Sequence, residues 1–573
     1  MEVFMRLKIT KSAHSNSYSV IKSAYKNKKI TSVVVERLGN DKYICETYGV
    51  DDAEAWARAH VAELNEKAKE DASVSIAFSP VRSIPLDKQR SFNAGYLFLQ
   101  DIYYDLGLHK ICTAIKRKYK FSYNLNSILS RLVYSRILYP GSKKNTAEQS
   151  LKFIEAPDFE LHQIYRALSL LAAESDYIQS ILYRNSLKMS ARRTDVIYYD
   201  CTNYYFETEE ADGDRQYGYS KEHRPNPIVQ MGLFMDRDGI PLAFCINPGN
   251  TNEQVTLRPL EQKLLSDFSL SRFIVCTDAG LSSTESRIFN NRGGRAFITT
   301  QSVKKLKQYQ EEWLLDEDGW SRPGCPGEVF RLSDLDEEKD KETVLYKERW
   351  INEDGLEQRI IASYSLKYRD YTRALRQRQV ERAKKKVAHP SGLKNRRPTD
   401  DKRFIKEERC TKEGEVAEHS VYSINEERIA QEEKYDGFYA VCTNLEDEAE
   451  EIIRVNRQRW QIEECFRIMK HEFKARPAYL QRDERIKAHF MTCFIALIIF
   501  RYLEIRMENK YTAETLIQQL RDMNMTKIEG YGYIPSYDRT ELTDRLHQEF
   551  GFDTSKELIP IAKMRNICKN TKK

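Results

Sequence analysis

One segment of the chain combines charged residues at spacings that could bind a metal ion and a phosphate group. In residues 456–470, NRQRWQIEECFRIMK, an α-helix would place Asn456, Arg459, Glu463 and Lys470 within about 60° of one another. A glutamate supplies the hard oxygen ligand that Mg²⁺ prefers, and arginine and lysine hold phosphate oxygens. The same spacing is also typical of a solvated helix face with ion pairs, so this segment alone leaves both interpretations open.

The other side of the same helix is apolar and should pack against a sheet. Its apolar residues fall within about 60° of one another: they are Val455, Ile462, Phe466, Met469 and Phe473. Since the polar residues lie beside this stripe, packing would hold them at the boundary between core and solvent. Glu464 points away from both stripes.

Two aspartates follow short apolar runs that are predicted to be strands. Residues 196–199 lead directly to Asp200, and residues 273–276 end near Asp278. In an α/β sheet, strand ends open onto the crevice that holds the site. Three carboxylates from separate elements could therefore bind two Mg²⁺ ions for a phosphoryl transfer. The alternative for each aspartate is a helix cap or turn, which is the commonest use of Asp after a strand.

The elements around these aspartates predict an α/β core with a mixed sheet. The predicted strands are residues 196–199, 228–235, 240–246, 273–276 and 296–299, and the predicted helices between them are 253–268 and 283–290. Asp236 and Asp238 belong to the Asp-Arg-Asp-Gly turn of a hairpin and are interpreted as turn residues. The pattern β-β-β-α-β-α-β stops near residue 300. It resumes with a strand at 438–442 and a long helix at 446–473.

The region between these two parts is polar, charged and rich in Gly and Pro. Within it, residues 367–409 carry 16 Lys and Arg against 6 Asp and Glu, a net charge of +10. Such a stretch could bind a nucleic-acid backbone by charge, or it could be a solvated linker. The sequence does not separate the two interpretations.

Composition limits the remaining possibilities. The formal net charge of +6 does not by itself indicate a nucleic-acid partner. The 11 cysteines include no CxxC pair, which argues against a zinc site or a disulfide framework. No signal peptide is evident. The longest apolar run, residues 490–500, is well short of the roughly 20 residues that span a bilayer, so we expect a buried core helix, no membrane and a cytoplasmic protein.

Shifts in pattern along the chain predict six segments. They are an N-terminal β-rich domain with a helix (1–85), a helical domain (86–190), the first part of the α/β core with the candidate catalytic aspartates (191–300), an insertion (301–434), the second part of the core with the glutamate helix (435–505), and a helical C-terminal region (506–573). The basic residues of the helical domain could contact DNA or form a solvated helix face, and charge alone favours neither.

The quoted residues resemble bacterial insertion-sequence transposases of the DDE type, in the group whose glutamate helix reads Tyr-x2-Arg-x3-Glu-x6-Lys. Arg459, Glu463 and Lys470 fit that spacing, and Asn456 stands at the tyrosine position. The aspartates match in YYDCTN (198–203) and CTDAG (276–280), and the flanking stretches GYSKEHRP (218–225) and GNTNE (249–253) are also similar.

The resemblance implies a fold, a reaction and partners. The fold would be an RNase H-like core interrupted by a β-rich insertion. Asp200, Asp278 and Glu463 would hold two Mg²⁺ or Mn²⁺ ions, and Asn456, Arg459, Lys470, Lys221 and Arg224 would contact DNA. A homodimer on double-stranded DNA would nick the element ends and join the freed 3′-hydroxyls to target DNA, close to the bacterial nucleoid.

Two other interpretations use the same residues. One is an RNase H-like nuclease that cuts DNA but never joins it. The other is an inactive DNA-binding protein derived from such an element; the Asp, Asp, Glu, Arg and Lys present here argue against it.

Overall fold

A computed structural model describes residues 5–573 with the exception of 13–14, 27–28, 71–73, 282, 326, 390–400 and 409–420. The chain forms two compact units, Met1–Lys88 and Gln89–Lys573, each with its own core. The second unit contains every candidate residue named above.

The first unit is an antiparallel three-stranded sheet with two helices. Its elements are β1 (Met5–Lys11), β2 (Asn16–Lys26), β3 (Lys29–Asn40), α1 (Asp41–Tyr48) and α2 (Ala53–Glu70). Helix α1 begins at Asn40, whose side chain accepts a hydrogen bond from the Tyr43 N–H. It ends at Gly49, which has a left-handed φ of 64°. The β-rich character and the single helix predicted for residues 1–85 correspond to β1–β3 and α2, whereas α1 was not predicted.

The second unit begins with a short strand and six helices. They are β4 (Ser91–Asn93), α3 (Tyr96–Asp105), α4 (Leu108–Lys118), α5 (Leu125–Leu138), α6 (Lys143–Ser150), α7 (Leu161–Ala173) and α8 (Ser175–Ser186). The helical character predicted for residues 86–190 is confirmed, and α7 and α8 meet at Glu174.

The α/β core follows in two parts. The first part contains β5 (Val196–Tyr205), β6 (Ile228–Asp236), β7 (Pro241–Pro248), α9 (Leu257–Asp267), β8 (Ile274–Thr277), α10 (Thr284–Asn290) and β9 (Ala296–Gln301). The predicted order is confirmed, and Asp236 is a turn residue as expected. Its Oδ1 accepts from the backbone N–H groups of Asp238 and Ile240, and the same carboxylate forms a buried ion pair with Arg192.

An insertion separates β9 from the rest of the core. It contains α11 (Gln308–Leu315), β10 (Leu345–Glu353), β11 (Leu356–Tyr364), α12 (Leu366–Ala388), β12 (Ile405–Glu408), β13 (Val421–Ile424) and α13 (Glu426–Glu433). The insertion was predicted to be β-rich, but its described residues have mixed structure with a 23-residue helix. The basic stretch 367–409 therefore starts as a helix, and its residues 390–400 and 409 lie outside the described residues.

The core resumes with β14 (Phe438–Thr443), α14 (Ala449–Arg457), α15 (Trp460–Arg467) and a π-helical turn, Ile468–Glu472. The prediction of one continuous helix over residues 446–473 is therefore wrong. The apolar stripe is nevertheless confirmed, because its five members are all at least nine-tenths buried.

The chain ends with α16 (Asp483–Arg506), α17 (Ala513–Asp522), β15 (Asn524–Ile528), β16 (Gly532–Pro535), α18 (Glu541–Phe550), β17 (Ile559–Pro560) and α19 (Ile561–Asn570). Helix α16 has the length and composition of a membrane span, but 89% of its apolar stretch is buried inside the protein. The predicted core helix is confirmed. The C-terminal region was predicted to be helical only, but three of its strands form a sheet with β4.

One mixed eight-stranded sheet organises the second unit, in the order β10-β11-β14-β9-β8-β5-β6-β7. Strands β5, β6 and β7 are antiparallel neighbours, while β8 pairs in parallel with both β5 and β9. Strand β14 pairs antiparallel with β9 and with β11. Two strands of the insertion thus extend the core sheet at one edge.

Candidate active site at the end of the parallel strands

The register of the sheet places the two aspartates side by side. In the parallel pair β5–β8, Tyr199 lies opposite Thr277, and Asp200 and Asp278 each follow directly in the chain. Neighbouring strands lie about 4.8 Å apart. Strand β8 ends at Thr277, whereas β5 continues to Tyr205. Asp200 is therefore inside its strand, a correction to the predicted strand end, and Asp278 lies just beyond its own.

The Asp200 carboxyl is the more buried of the two aspartates. Burial raises its pKa to about 6, and the neighbouring Asp278 adds to the rise. Lys221, Arg459 and the Cys201 N–H, which donates to Asp200 Oδ1 at 2.7 Å, act in the opposite direction. A buried carboxyl beside a second carboxylate gains most from a cation that neutralises both.

Arg459 connects the aspartate end of the sheet to the glutamate helix. Its Nη1 donates to Thr300 Oγ1 on β9 at 2.9 Å, and its Nη2 lies 3.4 Å from Asp278 Oδ1. Only 12% of the Arg459 side chain is exposed, compared with 50% of Asp278. The guanidinium is thus fixed at the edge of the site.

Lys470 reaches the same strand from the π-helical turn. Its Nζ donates to Thr202 Oγ1 at 2.6 Å, two residues after Asp200 on β5. Burial lowers the pKa of Lys470 to about 8, with a further lowering from Lys221 and an opposing effect from Asp200. Its Nζ also lies 3.7 Å from Glu222 Oε1. Lys470 is therefore a partly buried cation beside the aspartates.

Glu463 lies on the helix between these two cations. It follows Arg459 by four residues within helical backbone, which places both on one face, and α15 packs against β5. The Glu463 side chain is exposed. Among the described residues, no group of three or more His, Cys, Asp or Glu side chains is close enough to hold a metal ion. The structure therefore brings Asp200 and Asp278 together and leaves the third carboxylate on the adjacent helix face, directed to solvent.

Asn456, predicted to contact DNA, lies inside the protein. It is 4% exposed. Its Nδ2 donates to Tyr439 Oη at 2.8 Å, and its Oδ1 accepts from Cys276 Sγ at 3.5 Å. The hydrogen bonds from both ends of the Asn456 amide hold α14 against the sheet, which favours a role for Asn456 in positioning this helix.

The loop between β5 and β6 contributes two cations. Lys221 donates to the Cys201 carbonyl oxygen and lies 3.4 Å from Glu253 Oε1. Arg224 is exposed, and its guanidinium lies 4.4 Å from the centre of the Tyr205 ring. Lys221 thus belongs to the aspartate site, and Arg224 lies at the far end of the same strand.

Sequence reasoning missed several partners of these residues. Thr202 and Thr300 accept hydrogen bonds from Lys470 and Arg459. Glu222 contacts both Lys470 and Arg476. Glu222 was visible in the stretch 218–225, but a lone glutamate in a basic loop gave no indication of which cations it would meet.

Comparisons with known proteins identify the family of this chain. A family model described as "Transposase DDE domain" matches residues 192–499, more than half of the chain. No curated protein is significantly similar to this chain. Similar solved structures include two transposase complexes. The piggyBac transposase synaptic complex with hairpin DNA is 8% identical with a TM-score of 0.35, and the match covers 84% of this chain and 88% of that one. The Mos1 transposase paired-end complex with left transposon end is 11% identical with a TM-score of 0.13, over 44% and 68%.

Proposed function

This chain belongs to the DDE transposase family, and we propose on that basis that it is the transposase of a bacterial insertion sequence, which cuts the element ends and joins them to target DNA. The observation that carries the proposal is the adjacency of Asp200 and Asp278 at the end of β8, closed on one side by the helix that bears Arg459 and Glu463. The strand order β7-β6-β5-β8-β9 supports an RNase H-like core.

The side chains fit a divalent metal ion in part. Asp200 and Asp278 supply hard carboxylate oxygens on neighbouring strands, which suits Mg²⁺ or Mn²⁺. Glu463 becomes the third ligand only if its exposed side chain turns towards them. When bound, two such ions would activate the attacking oxygen and stabilise the leaving oxygen of the phosphoryl transfer.

The cations around the carboxylates have separate roles in this proposal. Arg459 is held by Thr300 and can present its remaining N–H groups to a phosphate. Lys470 supplies a point charge from the opposite side. Lys221 offsets the charge of Asp200 before DNA arrives. Arg224, further along the loop, would contact the backbone of the bound duplex.

The insertion is a second surface for DNA. Helix α12 is rich in Lys and Arg, although five of these cations pair with carboxylates: Lys367, Arg369, Arg373, Arg376 and Lys386. We propose that its remaining cations contact the DNA backbone, so that binding weakens steeply with salt. Two element ends have to be cut together, which implies a homodimer on double-stranded DNA in the bacterial cytoplasm.

The test compares two neighbouring glutamates. The purified protein is incubated with Mg²⁺ and a labelled duplex carrying the element's end, beside Glu463→Gln and Glu464→Gln. Glu464 is the matched control because it already pairs with Arg467 at 2.6 Å. We expect wild type and Glu464→Gln to nick the DNA, and Glu463→Gln to bind it without cutting. Cleavage by Glu463→Gln at the wild-type rate would remove Glu463 from the proposed site.

A second assay separates joining from cutting. Pre-cut ends are supplied with target DNA, and joined products are measured. Joined products support the transposase, whereas nicking without any joining would favour the RNase H-like nuclease. Binding without either reaction would favour an inactive derivative.

A further inference from the structure

A cationic cavity of about 220 Å³ lies outside the aspartate site. Its walls are the loop between α5 and α6, the segment that follows the π-helical turn, and side chains from α7 and α16. The lining residues are Arg136, Pro140, Gly141, Ser142, Lys143, Tyr165, Lys474, Arg476, Pro477, Ala478, Tyr479, Leu480 and His489. Four of them are Lys or Arg, and none of these described lining residues is acidic.

The floor of the cavity contains a buried ammonium group without a carboxylate partner among the described residues. Lys143 is 4% exposed. Its Nζ lies 3.4 Å from His489 Nδ1, while His489 Nε2 donates to the Ala475 carbonyl oxygen at 3.0 Å. His489 is therefore neutral with Nδ1 as the acceptor, and it uses one of the three N–H donors of Lys143. Burying a cation with so little compensation is unfavourable.

Arg136 beside Lys143 makes the cavity more positive. It is 3% exposed, and its Nη groups donate to the carbonyl oxygens of Phe473 and Gly141 at 3.1 and 3.0 Å. Its Nε has no hydrogen-bond partner among the described residues. These bonds hold the two walls of the cavity together, so Arg136 builds the site and adds charge to it.

A single carboxylate links this cavity to the candidate active site. Glu222 contacts Arg476 in the cavity wall and lies 3.7 Å from Lys470, which in turn bonds Thr202 beside Asp200. The cavity and the aspartates are thus neighbours on one surface. An extended polyanion that reaches one of them can reach the other.

The mouth of the cavity carries a cation and an aromatic ring. Lys474 is exposed, and Tyr479 is 68% exposed. An exposed ring next to a cationic pocket is the arrangement by which proteins stack a nucleic-acid base and hold its phosphate. An acidic peptide would use the cations but has no planar base to stack on Tyr479.

We propose that this cavity binds a phosphate group of the DNA backbone, held by Lys143, Arg476 and Lys474, with Tyr479 against the adjoining base. The proposal rests on the proposed function only in taking DNA as the ligand. A bound phosphate would supply the charge that Lys143 lacks. Burial, with Arg136 nearby, lowers the pKa of Lys143 to about 7, so binding should draw a proton onto this group.

The test measures DNA binding without cleavage. Wild type, Lys143→Met and the control Lys144→Met are titrated with a labelled duplex of random sequence in EDTA, because phosphate contacts carry no base information. Lys144 is the neighbouring lysine and is exposed. We expect Lys143→Met to reduce the dependence of log affinity on log salt by about one, and Lys144→Met to leave it unchanged. Melting temperature checks folding, and Lys143→Met should melt at or above the wild-type temperature since it removes a buried charge.

The pH dependence provides a readout that a purely structural role would not change. The charged or titratable groups around Lys143 come from every wall of the cavity: Arg136 from α5, Tyr165 from α7, His489 and Cys493 from α16, and Lys474, Arg476 and Tyr479 from the segment after the π turn. With a pKa of about 7, wild type should bind DNA about tenfold more weakly at pH ~8 than at pH ~6. This tenfold contribution should be lost in Lys143→Met, which keeps only the change that arises from Asp200 and Lys470, whose pKa values are about 6 and about 8. It should persist in Lys144→Met.

Two further measurements identify the ligand. Tyr479→Ala should weaken binding of a single-stranded oligonucleotide about fivefold or more, without a change in melting temperature. Inorganic phosphate should compete with DNA in wild type and not in Lys143→Met.

Lys143-dependent binding of inorganic phosphate with unchanged DNA affinity would overturn the proposal in favour of a small-anion site. DNA affinity equal in all three proteins, with no phosphate binding, would overturn it outright. Neither result depends on whether the protein cuts DNA.

Discussion

Replacing Asp200 with asparagine should stabilise the second unit while abolishing DNA cleavage. Burial raises the pKa of Asp200 from 3.8 to about 6, a difference of roughly two units, and each unit is worth about 1.4 kcal/mol. Ionised Asp200 therefore destabilises the folded state by up to ~3 kcal/mol at neutral pH. Asparagine keeps an oxygen to accept the Cys201 N–H and carries no charge.

The sign of the effect follows from the two protonation states. Below pH ~4 both folded and unfolded chains hold the proton, and Asp200 contributes nothing to the pH dependence of folding. Between pH ~4 and ~6 the unfolded chain releases the proton first, so stability falls as pH rises; above ~6 the loss is constant. The gain from Asp200→Asn should therefore be near zero at pH ~4 and reach its maximum at pH ~7.

The assay is thermal unfolding in EDTA at several pH values, beside DNA cleavage in Mg²⁺. For a unit of several hundred residues, ~3 kcal/mol corresponds to a rise in melting temperature of about 3 °C. Asp278→Asn is the control: it should also stop cleavage, but its half-exposed carboxylate beside Arg459 should give no such gain. Mg²⁺ should stabilise wild type and not Asp200→Asn. A melting temperature of Asp200→Asn at or below wild type at pH ~7 would refute the buried-charge reasoning.

Three further changes have expected outcomes. Lys470→Met should fold normally, cut DNA at least tenfold more slowly and reduce the salt dependence of DNA binding by about one, as measured by anisotropy and cleavage rate. Asn456→Ala should lower the free energy of unfolding by about 1–3 kcal/mol, since it removes both hydrogen bonds of a buried amide and leaves the buried Cys276 thiol without that partner, whereas Tyr439 keeps its hydrogen bond with Thr300; urea denaturation measures this. Arg192→Met should cost about 3–5 kcal/mol in the same assay because it leaves the buried Asp236 carboxylate unpaired.

Local patterns were enough to predict the core strands and the buried stripe of the glutamate helix. The apolar runs before Asp200 and Asp278 are patterns of adjacent residues, so a short stretch of sequence is enough to predict these strands. The prediction that the apolar residues from Val455 to Phe473 are buried is correct, because a small break in the helix changes the direction of these side chains only slightly.

The remaining features depend on contacts between distant parts of the chain. Strand β15 pairs with β4, more than 400 residues earlier, and no local window reports such a partner. Neither the break after Arg457 nor the π-helical turn at Ile468–Glu472 was predicted. A π turn adds a residue to the helix and is stabilised by packing, so local spacing does not indicate it. The side-chain directions expected for a regular α-helix therefore apply to Arg459 and Glu463 but not to Lys470.

The large insertion does not separate the two parts of the site, because the strands on either side of it, β9 and β14, pair with each other in the sheet. Strand β9 ends at Gln301, and its residues 298–301 pair antiparallel with β14, which begins at Phe438. The glutamate helix therefore leaves the sheet from a strand fixed against β9. Arg459 and Thr300 confirm this arrangement, since one hydrogen bond joins the helix directly to β9. The position of Glu463 is thus set by the pairing of β9 with β14, and the chain between them can vary in length as long as that pairing is kept.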